Sequence, residues 1–520
     1  VPRRRRIPPA VFLLAATVLL SGCGSRVPEG VTVAGGSAAG PASAADQELG
    51  AAAPGAAGTT TSGTAAGTGT GAGAGDAVGS FGAAPGTASG SGTTATGGAP
   101  GAAAAGSLPP AGFGYDRKYV YVGVITQKDA EKVFSSFGAK NVDPGDTEAQ
   151  ASAVAADLNA HGGVFGRQVK LVFKDVATLD TAQNPTTTGA AVCTYFAEDH
   201  PVIAVMSVVT VLDYPPFRAC MAKHKIPLFS ATVKVVDDRA SASLAPYFYQ
   251  SIAVSWDSLG PVLAQRLKAQ GWFSGWDVRT GAPGTAPPVV GVVVDGTDIG
   301  ARIGAMLKRN LLAAGAKDVV VYRYAQASDG QSASVQYFQQ NGVTHVIVTD
   351  VELTAFQNAA ASQQYKPRYG ISSYNDPYTN LEAGGLTPPG ANNGSMGVGF
   401  APTLDVGDAN DPGTTPGARS CLAVMEKNGQ TFTGKRLARL YAFSMCDSIL
   451  LAARGAVAGG GLTGVDIARG IAKLAPSYSP ANGFTTGLTA THHYVPGQAR
   501  DLAWNTGCSC FRYGAGRAGL

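Results

Sequence analysis

The chain has 520 residues, 45% of them apolar, with 39 Lys and Arg against 35 Asp and Glu. Four of the arginines fall within the first six residues, and beyond residue 22 the basic and acidic residues balance at 35 each. That balance excludes charge as a means of holding nucleic acid or another polyanion.

Arg3 to Arg6 form a basic head, and residues 10–20 follow as an apolar run of 11. A bilayer span needs about 20 such residues, so residues 1–22 read as an export signal. Leu20-Ser21-Gly22-Cys23 resembles a lipobox, which implies lipid on Cys23 and anchorage to the outer face of the cell membrane. An ordinary signal with an incidental cysteine is the alternative. Residues 23–114 are almost entirely Gly, Ala, Ser, Thr and Pro and cannot form a core. As a flexible coil, some 90 residues give an end-to-end distance of about 50 Å, the length of a tether. No later stretch reads as long and apolar enough to span a membrane.

Residues 115–520 are too many for one ordinary core and suit two lobes. They open with an apolar strand at 119–125. A helix follows with Val154, Ala155 and Leu158 at helical spacing, stopped by Gly162 and Gly163. After Gly166, Val169, Leu171 and Phe173 alternate as in a half-buried strand. Further strands are predicted at 201–206, 226–230, 289–294, 319–323, 344–349, 368–371 and 396–400. Helices are predicted near 147–160, 186–199, 214–224, 257–270, 299–314, 331–341, 353–363, 416–428, 437–457 and 464–474. This alternation predicts α/β architecture with parallel sheets and crossover helices. The Gly/Pro-rich segments 275–288, 384–394 and 405–416 read as loops.

A strand ending in Gly-Val-Ile-Thr, a helix ending Asn159-Ala-His-Gly162-Gly163-Val-Phe-Gly166-Arg167 and a strand ending in Asp175 resemble the opening of the type I periplasmic solute-binding proteins. The nearest group is the branched-chain amino-acid receptors of ABC importers. Later stretches follow the same order: Pro201 to Ser207, Lys225 to Ser230, Val289 to Gly300, Gly342 to Val348 and Tyr441 to Ala453. The resemblance implies two doubly wound parallel-sheet lobes joined by three crossing segments, near 250–256, 372–380 and 480–486. Lobe one would comprise 115–251 and 377–484, and lobe two 252–376 and 485–512, with a tail at 513–520.

Apart from Cys23 there are six cysteines, an even number that suits disulfides in an exported chain. The resemblance implies a bridge between Cys193 and Cys220. Cys421 and Cys446 lie on successive helices and pair by proximity in sequence. Cys508 and Cys510 either close a tight ring or show that this pairing is not the right one; no nearby Cys or His set completes a metal site for them.

The folded part has no Gly-x-Ser-x-Gly, His-Glu-x-x-His or Walker motif, so no catalytic constellation is expected. In the family resembled, lobe-one hydroxyls and amides hold a carboxylate and a lobe-two acid holds an ammonium. Charge-assisted bonds then replace water at both ends, and an apolar pocket takes the side chain. The resemblance places Ser207, Ala231 and Thr232 on that ligand; Ser207 and Thr232 equally read as helix-capping turn residues. Lobe two departs from the pattern. Ile299 stands where the family often has tyrosine, and the ammonium-binding position falls near Ser372, Ser373 and Tyr374, none of them acidic. Asp350, Glu352 and Asp376 are the substitutes. Gln127 and Trp256 complete the candidates, Trp256 equally reading as hinge packing. The expectation is a monomeric receptor delivering an amino acid, amide or related solute to an ABC permease without a cofactor or catalysis. A sensor of the same fold is the alternative.

Overall fold

The computed structural model describes residues 108–136, 139–209, 215–324, 331–350, 352–382, 386–411 and 415–520. The export signal, Cys23 and nearly all of the tether lie outside the described residues.

The first sheet is built from β1 (Tyr119–Thr126), β2 (Gln168–Asp175), β3 (Val205–Ser207), β4 (Leu228–Ser230) and β5 (Phe248–Gln250). Its order is β2-β1-β3-β4-β5, and all pairs are parallel. Alternate residues Val120, Val122 and Val124 of β1 are buried in one core with the helices Thr147–Ala160 and Arg436–Gly459. Asp146 caps the first of these by accepting from the Ala149 amide at 2.9 Å. The turn into β2 requires glycine at 163, where φ is +66° and a Cβ would lie 2.0 Å from the Arg167 carbonyl oxygen.

The helix Arg436–Gly459 corrects one expectation, because it is long and apolar enough by composition to cross a membrane. Its apolar window is 78% buried inside the lobe. Against it lies the helix Gly464–Leu474, so close that a Cβ on Gly470 would meet the Gly455 carbonyl oxygen at 1.7 Å.

A two-residue antiparallel ladder, β6 (Trp276–Asp277) with β7 (Ala282–Pro283), lies inside the expected 275–288 loop. The second sheet comprises β8 (Val289–Asp295), β9 (Asp318–Tyr324), β10 (His345–Val348), β11 (Arg368–Ser372), β12 (Met396–Gly399), β13 (Gln498–Asn505) and β14 (Cys510–Gly519). Its order is β14-β13-β12-β11-β10-β8-β9, parallel from β9 to β12 and antiparallel beyond.

These pairings move the lobe boundaries. Residues 377–399 were expected in lobe one, but β12 pairs with β11 and belongs to lobe two. The expected tail 513–520 lies largely within β14. The first crossing falls between β5 and the helix Trp256–Ala269. The second follows β12 instead of lying at 372–380. The third follows Val495 instead of lying at 480–486: Gln250 donates to the His493 carbonyl at 2.9 Å and accepts from the Val495 amide at 2.8 Å, holding that segment on the first sheet. Short strands explain these differences. β12 has four residues, two of them glycine, and β14 mixes Gly and Arg without alternating apolar residues.

All ten expected helices form within two residues of their predicted limits, the second continuing as a π-helical turn at Tyr195–Asp199. The disulfides are Cys193–Cys220, Cys421–Cys446 and Cys508–Cys510. The first two tie neighbouring helices of lobe one, and the third lies at the β13–β14 turn.

Candidate functional site

In open α/β sheets the carboxyl ends of parallel strands form the ligand crevice. On lobe one these ends carry Gln127, Asp175, Ser207 and the loop from Ala231. Asp175 accepts from the Thr126 hydroxyl at 3.1 Å and the Lys128 amide at 3.0 Å, so it braces the loop after β1. Gln127 is half-buried, and its Nε2 has no hydrogen-bond partner among the described residues. Ser207 is buried, and its Oγ accepts from the Val209 amide at 3.3 Å. The Ala231 amide donates to the Ser207 carbonyl at 2.8 Å, and the Thr232 hydroxyl lies 3.0 Å from that of Ser230.

From there the loop reaches across to lobe two before β5 returns to the first sheet. Val233 and Val235 pack into a lobe-two core cluster, and Asp237 pairs with Arg302 on the lobe-two helix Asp298–Ala314. Half-buried Lys234 sits between those valines and bears electrostatically on Asp350 and Glu352, just past β10 of lobe two. Asp350 accepts from the Tyr324 hydroxyl at 2.5 Å and from the Glu352 amide at 3.0 Å. Asn375 clamps the same loop, donating to the carbonyls of Val348 at 2.8 Å and Asp350 at 2.7 Å. Glu352 is only 2% exposed, and its Oε2 has no hydrogen-bond partner among the described residues. Burial raises the Asp350 carboxyl, and the Tyr324 hydroxyl pulls it back in part. Burial, then the charge of Asp350, raise Glu352 well above the carboxylate range, while the Lys234 ammonium opposes both.

Solved structures share this fold. A substrate-binding protein of an ABC transporter from Desulfitobacterium hafniense, in complex with Leu, matches 76% of this chain and 100% of its own at 15% identity, with a TM-score of 0.51. A solute-binding protein of an ABC transporter from R. palustris, in complex with 4-hydroxybenzoate, matches 77% and 97% at 13% identity and a TM-score of 0.54. A leucine-binding protein from Thermotoga maritima matches 76% and 97% at 12% identity and 0.52. The fold is that of the type I periplasmic binding proteins. No family model matches the sequence, and no curated protein matches it.

Within the type I fold, three sequence candidates go to the hinge rather than to the crevice. The Ser373 hydroxyl donates to Asp405 at 2.9 Å and accepts from the amides of Phe400 at 2.8 Å and Ala401 at 3.2 Å, which uses its bonding capacity. The Tyr374 hydroxyl donates to the Val254 carbonyl on the first crossing. Trp256 is fully buried and stacks on Tyr374 with ring centroids 5.4 Å apart. The rings of Trp256 and Tyr374 lie in the same apolar cluster, and Trp256 Nε1 has no hydrogen-bond partner among the described residues. Sequence reasoning missed Lys234, Asp405 and Tyr513. Lys234 left a readable signal, a lone charge inside Val233-Lys234-Val235-Val236. The contact of Asp405 with Tyr513 joins residues 108 positions apart, which no local pattern announces.

His345 is buried, its Nε2 2.8 Å from the Trp272 carbonyl, and burial lowers its pKa to about 4. It is part of the lobe-two frame. His224 lies close to Cys193 and Cys220, but those two sulfurs are bonded to each other and offer no thiolate to a metal. A cavity of about 720 Å³ lies between Arg279, Gln339 and Lys366, near the start of β10 and hence at the opposite end of the sheet from the acids.

Proposed function

We propose that this protein is a solute-binding receptor of an ABC importer, capturing one small molecule by closure of its lobes on the crossings. The observation that carries this reading is an uncommitted polar atom at the carboxyl ends of the strands in each lobe. Gln127 Nε2 stands on lobe one and Glu352 Oε2 on lobe two, neither with a hydrogen-bond partner among the described residues. Buried polar groups without partners cost about 1–3 kcal/mol each, and a bound solute would satisfy them. In this reading Gln127, Ser207, Ala231, Thr232, Asp350 and Glu352 line the solute, and Ser373, Tyr374 and Trp256 support the hinge.

The receptor is lipid-anchored at Cys23 on the outer face of the cell membrane, works as a monomer and hands its solute to a permease without turning it over. Support comes from the sequence around Cys23 and from the fold shared with ABC substrate-binding proteins. The test is a thermal-shift screen of the full chain with amino acids, amides, polyols and small aromatic acids. A solute at about 100 times its Kd adds about 2.7 kcal/mol to the stability of the folded state. Binding without a more compact radius of gyration in solution scattering would refute the closure step, and turnover of the bound compound would refute the receptor reading.

A further inference from the structure

The third disulfide joins nothing that the fold does not already hold. Cys193–Cys220 and Cys421–Cys446 span 27 and 25 positions and tie separate helices. Cys193, Cys421 and Cys446 are buried, so half-buried Cys220 is the most open cysteine of those two bridges. Cys508–Cys510 spans only two positions, at the β13–β14 turn. The ladder there is closed without it, by backbone pairing of Asn505 with Cys510 and of Trp504 with Phe511. The Trp504 and Phe511 rings also pack edge to face, with centroids 5.1 Å apart. A bridge over so short a loop restricts the unfolded chain less than one over 25 residues, so closing the hairpin does not account for it.

The two cysteines of this bridge are unlike. Cys508 is exposed, whereas Cys510 is half-buried and its Sγ accepts from Asn410 Nδ2 at 3.2 Å. Ser509 between them sits at φ +50°, a left-handed conformation that serine seldom adopts and that opening the ring would release. The turn lies beyond the pairing of Met396 with Ala503, at the opposite end of the sheet from the crevice.

We propose that Cys508–Cys510 is a thiol–disulfide exchange site that oxidises a dithiol on a peptide partner. A partner thiolate attacks the exposed Cys508 Sγ. The Cys508–Cys510 bond breaks and its electron pair stays on Cys510 Sγ, where the Asn410 N–H stabilises the thiolate as it forms. A new bond joins Cys508 to the partner's first sulfur. The partner's second thiolate then attacks that first sulfur, and Cys508 leaves as a thiolate. The partner has gained a disulfide and given up two electrons and two protons. Cys508 and Cys510 hold both electrons and draw protons from the solvent. Access of the attacking thiolate and stability of the departing one set the rate of such exchange, and this turn supplies both.

In the experiment the full, oxidised chain is mixed without denaturant with a synthetic peptide carrying two reduced cysteines, and in parallel with glutathione, a monothiol. Free thiols are blocked with iodoacetamide at intervals and located by peptide mass mapping. The expected result is that Cys508 and Cys510 open at least about tenfold faster than the other bridges. The peptide is recovered as its disulfide, and glutathione is trapped on Cys508. Asn410→Leu slows opening by about tenfold, through the lost hydrogen bond to the thiolate, with an unchanged thermal midpoint. Cys510→Ser, offered oxidised glutathione, holds it on Cys508 as a lasting mixed disulfide, which keeps the site testable should the first variant not fold. Equal rates at all three bridges, glutathione on Cys510 in place of Cys508, or a peptide left reduced would each overturn the exchange site. None of these outcomes bears on solute capture, because the turn lies away from the crevice.

Discussion

Asp405 allows the sharpest test of how the hinge is built. Its carboxyl is fully buried. Oδ2 accepts from the Ser373 and Tyr513 hydroxyls and from the Ala401 amide, while Oδ1 has no partner among the described residues. Burial outweighs these donors and raises the pKa from 3.8 to about 7. The folded state therefore holds a proton that the unfolded chain releases at lower pH. Stability from this group is fully present below pH 3.8 and is lost as pH rises towards 7. Three pKa units at 1.36 kcal/mol each give about 4 kcal/mol across that window. Replacing Asp405 with Asn removes the titration but keeps an acceptor at Oδ2. Urea unfolding of both proteins from pH 4 to 8 should show the variant gaining on the native chain by about 4 kcal/mol, with the rise between pH 4 and 7. Any fixed cost of the new amide appears as an offset and leaves the slope untouched. A difference flat with pH would refute the reasoning, since the carboxyl would then be ionised in the folded state throughout.

Three other perturbations test the frame. His345, held neutral by burial, has the opposite sign: stability falls as pH drops from 6.5 to about 4. The loss is about 3 kcal/mol, and His345→Gln should remove it from acid-unfolding curves. Replacing Cys421 and Cys446 by Ala opens a loop of 25-residue separation and should lower unfolding stability by about 3.5 kcal/mol. The same change at Cys508 and Cys510, two residues apart, should cost about half of that by the same chain-entropy argument. Gly397→Ala would put a Cβ 1.8 Å from the Ile371 carbonyl oxygen, so β12 could not seat on β11. Loss of soluble folded protein on expression checks it.

The long elements were legible because each carries a full hydrophobic period. The helix Asp298–Ala314 sets Ile303, Met306, Leu307 and Leu311 on one buried face and ends at Gly315. β8 reads as the near-continuous apolar run of a strand buried on both faces. What failed to show were β5, three residues long and too short to carry a period, β14, whose Gly and Arg residues give no apolar alternation, and the sheet that the expected strand β12 joins. The site divides in the same way. Asp350 and Glu352 could be named from sequence because acids just past a strand stand out, whereas the commitments of Ser373 and Tyr374 depend on Val254 and Asp405, distant in sequence and invisible to spacing. Lobe boundaries were misplaced because the second crossing comes after β12, and nothing between 377 and 399 marks that strand as belonging to the second sheet.

The threading of the chain between the sheets also dictates an order of assembly. The first sheet gains its central helix only with residues 436–459, and β12 gains its neighbour only with residues 498–505. A nascent chain halted near residue 490 would hold every strand of the first sheet and its helix but leave the outer edge of β12 bare and ready to pair with another chain. The second sheet is thus the last to close, and the strands that seal its edge are the last the ribosome makes.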